Sequence, residues 1–496
     1  MHIHILGICG TFRGGLAAIA RAAGHRVTGC DAGVYPPMST QLEALGIPLT
    51  EGYGAGQVEL KPDLFVIGNV VTRGNPLMEE ILNRGLPHVS GPQWLRENVL
   101  AGRWVVAIAG THGKTTTSAM VAWILEESGL APGFLIGGIP RNFGISARLS
   151  GLTPSPRSQP SPAFFVIEAD EYDTAFFDKR SKFVHYPART VVLNNLEFDH
   201  ADIFPDLAAI ETQFHHLVRI VPGNGLIVSN GADRTLERVL ARGSWTPVER
   251  FLAADGWQVG AWDESGFEVL LHGMPQGSVK WDLVGAHNRA NALAAIVAAR
   301  HCGVPPPAAI AALGRFTNVK RRLEVLGVAR GITVYDDFAH HPTAIETTIA
   351  GLRSKVNGRR PPSHDLGSRA VQAVALSASG VASMPEGMEP APPVGGRILA
   401  VLEPRSNTMK LGAMKDKLAA SLADADLTFC YTNGLAWDAA AVLAPLGNKA
   451  RADSDLDRLI AHIAETARPG DHVLLMSNGS FGGIHEKLLA RLARSA

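Results

Sequence analysis

Short apolar runs rich in β-branched residues alternate with helical patterns along most of the chain. Runs of this kind are typical of buried strands, and their alternation with helices predicts α/β domains with mostly parallel sheets. Most of the runs end in a glycine turn or a polar cluster, which is where α/β sheets bind ligands. The polar residues at these ends are therefore candidates for a functional site. The predicted strands span residues 2–6, 26–30, 64–67, 104–109, 163–167, 190–193, 332–335, 397–402, 427–431 and 472–476.

The strand over 104–109 leads into the glycine-rich segment Gly110-Thr-His-Gly-Lys-Thr-Thr116 and then into a helical pattern. A strand, a glycine turn and a helix start form a cradle whose backbone N–H groups bind phosphate. In such a cradle Lys114 supplies a positive charge, and the Thr115 hydroxyl can bind Mg²⁺. The general pattern has a further glycine where Ile108 stands, so the match is to a narrower form. The segment predicts that the protein binds a nucleoside triphosphate.

The grouping of the strands predicts three α/β domains, and a length of 496 residues agrees with that number. We expect a Rossmann-like N-terminal domain over 1–103, a central domain with a P-loop ATPase-type sheet over 104–318, and a Rossmann-like C-terminal domain over 319–496. Residues 150–162 are rich in Ser and Pro, and residues 357–396 are rich in Pro, Gly, Ser and Ala. Such compositions are typical of loops, so we interpret both stretches as peripheral insertions without a chemical role.

The composition of the chain limits the kinds of partner that it can bind. Lys and Arg together number 46, as do Asp and Glu, so the chain has no net charge and no broad basic field for nucleic acid or a membrane surface. The four cysteines are scattered without metal-like spacing, which suits a reducing compartment. The first residues already form a strand pattern, and no apolar stretch approaches eighteen residues. We therefore expect a cytoplasmic protein with small-molecule substrates.

Two further strand ends carry groups that bind cations. The strand over 163–167 ends in Glu168-Ala-Asp-Glu-Tyr-Asp173, and crowded carboxylates need a cation to offset their repulsion. Glu168 comes first after the apolar run, where nucleotide sites place a carboxylate for Mg²⁺. The strand over 190–193 leads to Asp199 and His200, so His200 is a candidate ligand for a second Mg²⁺, with Asp199 orienting its other ring nitrogen. The alternatives are an exposed acidic loop and a structural histidine.

The N-terminal domain carries a second glycine turn directly after its first strand. Cys9 takes the middle glycine position of the dinucleotide pattern, so a dinucleotide and another diphosphate ligand both remain possible. Asp31 follows the second strand and can bind a ribose or a base, or serve only in a turn. The residues predicted to bind this ligand are Gly7, Gly10, Thr11, Asp31, Asn69, Thr72 and Arg73.

Three more polar groups complete the candidates for nucleotide binding. His287, Asn288 and Asn291 share a face at the start of a predicted helix, where asparagine can pair with a nucleotide or merely cap the helix. Arg322 belongs to a cationic run at a predicted domain boundary, which is either a surface run or a source of an arginine that reaches the γ-phosphate. Asp336 lies in another cluster at the end of a strand.

Six motifs in this order resemble those of the Mur ligases and extend over essentially the whole chain: G-T-H-G-K-T-T, E-A-D-E, N-x-x-x-x-D-H, H-N-x-x-N, R-R-L-E and Y-D-D-F-A-H-H-P-T. The resemblance implies a three-domain, ATP-dependent amide ligase of bacterial cell-wall metabolism, with ATP as co-substrate and two Mg²⁺ ions between the central and C-terminal domains. It implies Lys114, Glu168 and His200 as catalytic residues and Thr115, Glu168 and His200 as metal ligands. The implied ATP contacts are Gly110, Thr111, His112, Gly113, Lys114, Thr115, Thr116, His287, Asn288, Asn291, Arg322 and Asp336.

Within the family, the N-terminal G-I-C-G-T and the Y-D-D-F-A-H-H-P-T segment resemble the members that use UDP-N-acetylmuramate, so the seven N-terminal residues above would hold a UDP-sugar. The segments 34–40, 175–186, 194–204 and 402–410 resemble members that add the tripeptide L-Ala-γ-D-Glu-meso-diaminopimelate in peptidoglycan recycling. The resemblance implies Arg405, Asn407 and Lys410 as peptide contacts. Some family members bridge their metals with a carbamylated lysine, but the sequence has no lysine between Lys182 and Lys280.

Three alternatives remain at this point. An enzyme that adds L-alanine instead of the tripeptide would differ only in the amine that it accepts. Folylpolyglutamate synthase-like enzymes share the central fold, but they have no UDP-sugar domain like the one expected over 1–103. A nucleotide-dependent sensor without ligase activity would not need Lys114, Glu168 and His200 together. We expect the protein to be a monomer.

Overall fold

The computed structural model describes residues 1–34, 38–150, 163–263, 265–357 and 396–494. The predicted insertions over 150–162 and 357–396 lie outside the described residues, apart from their end positions. Three parallel or mixed sheets with helices on their faces form the chain, so the predicted α/β class and three-domain architecture are confirmed. The boundaries predicted after residues 103 and 318 fall between these sheets, and they stay predictions.

The N-terminal sheet is parallel and has five strands in the order β3-β2-β1-β4-β5. Every residue of its central strand β1 is buried, because helices cover both faces of the sheet. The strands are β1 (His2–Leu6), β2 (Arg26–Asp31), β3 (Leu49–Glu51), β4 (Leu64–Ile67) and β5 (His88–Ser90). The helices are α1 (Thr11–Ala22), α2 (Met38–Ala44), α3 (Pro76–Asn83) and α4 (Gly91–Leu95).

The central sheet has ten strands in the order β17-β16-β15-β14-β13-β12-β6-β9-β7-β8, and β10 pairs with β11 in a separate hairpin. The strands are β6 (Trp104–Ala109), β7 (Gly133–Leu135), β8 (Ala147–Arg148), β9 (Phe164–Glu168), β10 (Asp173–Ala175), β11 (Asp178–Ser181), β12 (Ala188–Leu193), β13 (Leu226–Asn230), β14 (Val248–Phe251), β15 (Trp257–Asp263), β16 (Gly266–Leu271) and β17 (Met274–Lys280). The helices are α5 (Lys114–Glu127), α6 (Leu207–Ile220), α7 (Arg234–Ala241), α8 (Ala286–His301) and α9 (Pro306–Leu313). Strands β15, β16 and β17 form an antiparallel extension of this mostly parallel sheet.

The C-terminal sheet has six strands in the order β18-β19-β23-β20-β21-β22, of which only the β18–β19 pair is antiparallel. The strands are β18 (Glu324–Ala329), β19 (Ile332–Asp337), β20 (Ile398–Leu402), β21 (Leu427–Tyr431), β22 (Ala450–Asp453) and β23 (His472–Met476). The helices are α10 (Pro342–Asn357), α11 (Asn407–Lys410), α12 (Lys415–Ser421), α13 (Ala439–Leu443), α14 (Leu456–Thr466) and α15 (Ile484–Arg494). Short 3₁₀ or π turns lie at Ala55–Leu60, Arg96–Leu100, Lys182–His185, Ala444–Lys449 and Phe481–Gly483.

Close packing joins the first two domains. A Cβ at Gly15 of helix α1 would lie 2.4 Å from Cδ1 of Leu135 on strand β7, so only glycine lets the helix approach the edge of the central sheet this closely. In the central domain, α8 carries a run of buried alanines that packs against α5, the helix after the phosphate loop. Small side chains on α8 thereby bring its polar N-terminal turn beside that loop. Among the described residues no helix meets the length and apolarity needed to cross a bilayer.

Candidate active site

The phosphate loop adopts the expected strand–turn–helix arrangement between β6 and α5. Gly113 has a φ of 77°, a left-handed conformation that glycine adopts without strain, and it directly precedes the first residue of α5. A Cβ at Gly113 would lie 2.4 Å from both the Asn194 side-chain amide and the Asn291 side-chain oxygen. Glycine is therefore required here for the backbone conformation and for the close approach of two neighbouring elements.

The end of strand β12 holds the loop in place. The backbone N–H of His112 donates to Oδ1 of Asn195 (2.7 Å), and the side-chain amide of Asn194 donates to the His112 carbonyl oxygen (3.0 Å). The same Asn194 amide donates to Oδ1 of Asn291 on α8 (2.9 Å). The Thr111 hydroxyl accepts a hydrogen bond from the backbone N–H of Glu197 (2.9 Å). Elements distant in sequence thus support the cradle before any ligand enters it.

Lys114 lies in a buried network of opposite charges. Its Nζ donates to Oε2 of Glu171 at 2.8 Å and lies 3.7 Å from Oδ1 of Asp170, while Lys182 donates to Asp170 (2.7 Å). Nε2 of His200 lies 3.3 Å from the second Glu171 oxygen. Burial acts to lower the pKa of Lys114, but Glu171 and Asp170 outweigh it and raise that pKa above its usual value. Sequence reasoning placed Glu171 in the acidic cluster without a role, yet it is the carboxylate that joins Lys114 to His200.

Glu168 faces the start of helix α5. Its Oε1 accepts a hydrogen bond from the Thr115 hydroxyl (3.2 Å), and its Oε2 accepts one from the backbone N–H of Gly137 (2.7 Å). Burial raises the pKa of Glu168, although Lys114 opposes this. A hydroxyl and a carboxylate oxygen side by side are a donor set that suits Mg²⁺. The structure therefore brings the predicted ligands Thr115 and Glu168 together.

His200 lies at the other side of the same cluster. One donor atom each from Asp170, Glu171 and His200 lie within 4.8 Å of one another, which fits the predicted second cation. Burial acts to lower the pKa of His200, but Glu171 and then Asp199 outweigh it and raise that pKa to about 8. The predicted role of Asp199 differs from the observed one, because Asp199 accepts the backbone N–H of His200 (2.7 Å) and the Thr408 hydroxyl (2.7 Å). Asp199 thus fixes the loop that carries His200 and contacts the C-terminal domain, whereas we had predicted a bond from Asp199 to the imidazole of His200.

A cavity of about 260 Å³ lies between the central and C-terminal domains. Seven of the predicted ATP contacts line it together: His112, Gly113, Thr116, His287, Asn288, Asn291 and Arg322. Nδ1 of His287 is buried without a hydrogen-bond partner among the described residues. Burial lowers the pKa of this imidazole to about 4, which keeps it neutral near pH 7. The C-terminal wall comes from strand β19 and from helix α10.

Asp336 does not line this cavity, although its neighbour Asp337 does. The side chain of Asp336 pairs with Arg321 (Oδ2 to Nε, 3.0 Å) and lies 3.2 Å from Nε2 of His485. Asp337 accepts the backbone N–H groups of Leu323 and Ala339, both at 2.8 Å. Successive strand residues point to opposite faces, so only one of the two adjacent carboxylates reaches the cavity.

The N-terminal glycine turn holds a side chain that sequence reasoning did not single out. The guanidinium of Arg13 donates to the Gly7 carbonyl oxygen and to Oδ1 of Asn69 (2.7 Å). A Cβ at Gly10 would lie 2.6 Å from Nη2 of Arg13, and one at Gly68 would lie 2.7 Å from its Cδ. Burial lowers the pKa of Arg13, and no carboxylate of the described chain forms an ion pair with it. A partly buried guanidinium at the start of α1 makes this cradle a candidate anion site.

The other predicted UDP-sugar contacts lie in different environments. Asp31 clamps the turn itself, because its Oδ2 accepts the backbone N–H of Cys9 (2.8 Å) and its Oδ1 accepts the Tyr53 hydroxyl (3.3 Å). Arg73 points to solvent and pairs with Glu79 (2.9 Å). Thr11 and Thr72 are exposed. The structure therefore brings Gly7, Gly10 and Asn69 together around Arg13, with Thr72 and Arg73 at the exposed rim.

The predicted peptide contacts lie on the C-terminal domain at and just before helix α11. Nδ2 of Asn407 donates to Oδ2 of Asp202 in the central domain (2.7 Å), while Lys410 is exposed. Arg405 packs against Gly479, where a Cβ would lie 2.4 Å from its Cδ. Thr408, which sequence reasoning passed over, makes the buried hydrogen bond to Asp199 described above. Asn407 and Thr408 thus contact the loop that carries His200, so the C-terminal domain contributes one wall of the site.

The phosphate loop faces a cluster of carboxylates, and the C-terminal α/β domain closes the cavity beside the loop. These features define a three-domain nucleotide-dependent enzyme. Family models agree along the chain: the Mur ligase family catalytic domain matches residues 2–103, the Mur ligase middle domain 108–299, and the Mur ligase glutamate ligase domain 321–361. The chain belongs to the Mur ligase family. It is an ATP-dependent amide-bond ligase, and ATP and Mg²⁺ are typical of this family.

Full-length relatives are similar to this chain throughout. UDP-N-acetylmuramate–L-alanyl-γ-D-glutamyl-meso-2,6-diaminoheptandioate ligase of Escherichia coli K12 is 54% identical, over 100% of this chain and 99% of the relative. The Haemophilus influenzae protein of the same name is 50% identical, over 99% of each. The crystal structure of a murein peptide ligase from Psychrobacter arcticus superimposes with a TM-score of 0.75 at 44% identity, over 100% of this chain and 99% of that one.

Proposed function

We propose that the protein joins the lactyl carboxylate of UDP-N-acetylmuramate to the amine of L-alanyl-γ-D-glutamyl-meso-diaminopimelate, with conversion of ATP to ADP and phosphate. The observation that carries the proposal is the meeting of Lys114, Glu168, Glu171 and His200 at one sheet edge, in a chain whose full-length relatives bear that name. We further propose that the protein works in the cytoplasm as a monomer.

The proposed reaction has two steps. A carboxylate oxygen of the muramate attacks the γ-phosphorus, the bond between that phosphorus and the β–γ bridging oxygen breaks, and ADP leaves. The peptide amine then attacks the acyl carbon, and the amide forms as inorganic phosphate and one proton are released. Lys114 Nζ, now held by Glu171, is positioned to bind the transferring phosphoryl group and to offset its charge. Two bound Mg²⁺ ions would supply further charge neutralisation, with Thr115, Glu168 and His200 as protein ligands.

The remaining residues bind and orient the substrates. In the proposed complex, His287, Asn288, Asn291 and Arg322 contact the nucleotide in the cavity between the domains. The N-terminal cradle holds the UDP-sugar, with Arg13 near its diphosphate. Arg405, Asn407 and Lys410 meet the peptide, whose carboxylates suit cationic and amide side chains. Because most of the nucleotide contacts lie on the central domain and the peptide contacts lie on the C-terminal domain, domain closure precedes the chemistry.

The proposal is tested by phosphate release and product mass with ATP, Mg²⁺ and UDP-N-acetylmuramate, each omitted in turn. The amine is either the tripeptide or L-alanine at equal concentration. We expect turnover with the tripeptide and at most a trace with L-alanine. Turnover with L-alanine alone would identify the alanine-adding activity instead. Phosphate release that does not depend on any amine would exclude the ligase and favour a nucleotide-dependent sensor.

A further inference from the structure

Two histidines and a glutamate from different domains meet at the edge of the nucleotide cavity. His112 belongs to the phosphate loop, Glu197 follows strand β12, and His341 precedes helix α10 of the C-terminal domain. Oε2 of Glu197 lies 3.7 Å from Nε2 of His112 and 3.9 Å from Nδ1 of His341. One donor atom from each of the three residues lies within 4.8 Å of the others. This trio shares no member with the proposed Mg²⁺ ligands Thr115, Glu168 and His200.

One ring nitrogen of each histidine faces Glu197, and a bound ion would replace the contacts that these groups make with one another and with Thr343. Nε2 of His341 donates to the Phe198 carbonyl oxygen (3.3 Å), so the lone pair is on Nδ1, which accepts the Thr343 N–H at 3.4 Å. A metal-bound histidine commonly donates its other ring N–H to a backbone carbonyl in this way. Nε2 of His112 is buried and has no hydrogen-bond partner among the described residues.

The spacing fits a tetrahedral transition-metal ion. Zinc–nitrogen bonds of about 2.0–2.1 Å at tetrahedral angles place neighbouring donor atoms roughly 3.3 Å apart. The two distances to Glu197 exceed that value by about half an ångström, and the donor atoms of His112 and His341 lie within 4.8 Å of each other, so side-chain rotations must bring all three closer when the ion binds. Two imidazoles and one carboxylate are a common zinc donor set with a fourth position open, whereas Mg²⁺ prefers oxygen ligands alone. The trio is therefore selective against the cation that the reaction uses.

We propose that His112, Glu197 and His341 form a binding site for Zn²⁺, or for a cation with the same ligand preference, which ties the phosphate loop to the C-terminal domain and inhibits the enzyme. The bound ion would link the central domain to the C-terminal domain. His112 and Glu197 also line the nucleotide cavity, so the ion would occupy space at its edge. Zn²⁺ and MgATP would therefore weaken each other's binding.

The test uses the full-length protein freed of metal with a chelator and titrated with Co²⁺, whose visible absorption reports tetrahedral coordination, followed by displacement with Zn²⁺. His341→Gln removes a ligand that does not itself line the cavity. His462→Gln is the matched control, since His462 is a half-buried histidine on the same domain beside an aspartate, Asp453. We expect the wild type and the control to bind one tetrahedral Co²⁺, and His341→Gln to bind it at least about tenfold more weakly. MgATP should raise the apparent dissociation constant for Zn²⁺ in the wild type.

Unchanged metal affinity in His341→Gln would overturn the proposal and would place the ion elsewhere, for instance at Asp170, Glu171 and His200. Should His341→Gln fail to fold, anomalous diffraction at the zinc edge from wild-type crystals decides the matter. A peak between the three side chains supports the site, and a peak elsewhere or no peak refutes it. None of these readouts depends on turnover, so they remain valid even if the proposed ligase reaction is wrong.

Discussion

Replacing Arg13 by Met should separate ligand affinity from protein stability. The guanidinium of Arg13 lies in the glycine cradle, donates to Gly7 and Asn69, and has no carboxylate partner in the part of the chain that is described. Methionine has a similar length but no charge. The variant therefore keeps the packing of the cradle and loses its cation.

The substitution should weaken ligand binding without much change in the stability of the protein. A hydrogen bond to a charged group contributes about 1.5–3 kcal/mol, so losing the proposed contact with the diphosphate should raise the KM for UDP-N-acetylmuramate about 10- to 150-fold. In the protein without substrate, two hydrogen bonds from a charged group, of about 1.5–3 kcal/mol each, are lost. The partly buried guanidinium also costs several kcal/mol in desolvation, which the methionine does not. Because these two effects oppose each other, the free energy of unfolding should change little.

Steady-state kinetics with each substrate varied in turn, calorimetric titration with the UDP-sugar, and thermal unfolding measure these quantities. Arg21→Met is the matched control, because Arg21 lies on the same helix and is exposed. The KM for ATP should remain within about threefold of wild type. A KM for the UDP-sugar that does not change, or one that rises in step with the KM for ATP, would refute the assignment of Arg13 to the anion cradle.

The other predictions concern the remaining parts of the molecule. Lys114→Met should lower kcat by about 10²- to 10³-fold, because in the proposed reaction the transferring phosphoryl group loses the positive charge of Lys114. A rate within tenfold of wild type in single-turnover experiments would contradict this role. Thr408→Val removes the buried hydrogen bond to Asp199, so kcat should fall roughly tenfold while the KM for the UDP-sugar stays constant; an unchanged kcat would show that this contact does not support closure. Burial lowers the pKa of His4 from 6.5 to about 4, so its contribution to stability is complete above pH 6.5 and is lost as the pH falls towards 4. Urea unfolding should therefore give a lower free energy of unfolding at pH 5 than at pH 7, and His4→Gln should reduce this difference by about 1–2 kcal/mol. An equal difference in both proteins would contradict the lowered pKa of His4.

Features encoded by neighbouring residues were predictable from the sequence. The phosphate loop is one continuous segment whose strand, glycines and helix start all lie within fifteen positions, so its local pattern predicts its geometry. The alternation of apolar runs and helices likewise predicted the three α/β units, since burial on both faces of a parallel sheet leaves a distinctive apolar run. The antiparallel strands over 257–280 were missed because they expose many side chains and show no such run.

Features that depend on contacts between distant parts of the chain could not be predicted from the sequence. Asp336 and Asp337 are adjacent carboxylates at a strand end, and one step along a strand reverses the face to which a side chain points. Only the packing of β19 between β18 and β23 decides which of them meets the cavity. Arg13 looked like an ordinary helix residue, because the cradle around it is assembled from Gly7, Gly10 and Gly68, of which the last lies on a different strand end.

The pairing of Lys114 with Glu171 has a consequence for how the enzyme selects its nucleotide. A triphosphate that engages Lys114 displaces a buried carboxylate, which leaves uncompensated negative charge beside Asp170 and Glu168. A divalent cation that arrives with the nucleotide compensates that charge, whereas bare ATP adds to it. Nucleotide and metal affinities are thus thermodynamically linked, and each must strengthen the other by the same factor. In the proposed reaction the acidic cluster would therefore act as an electrostatic filter that favours the magnesium complex of ATP over the free anion.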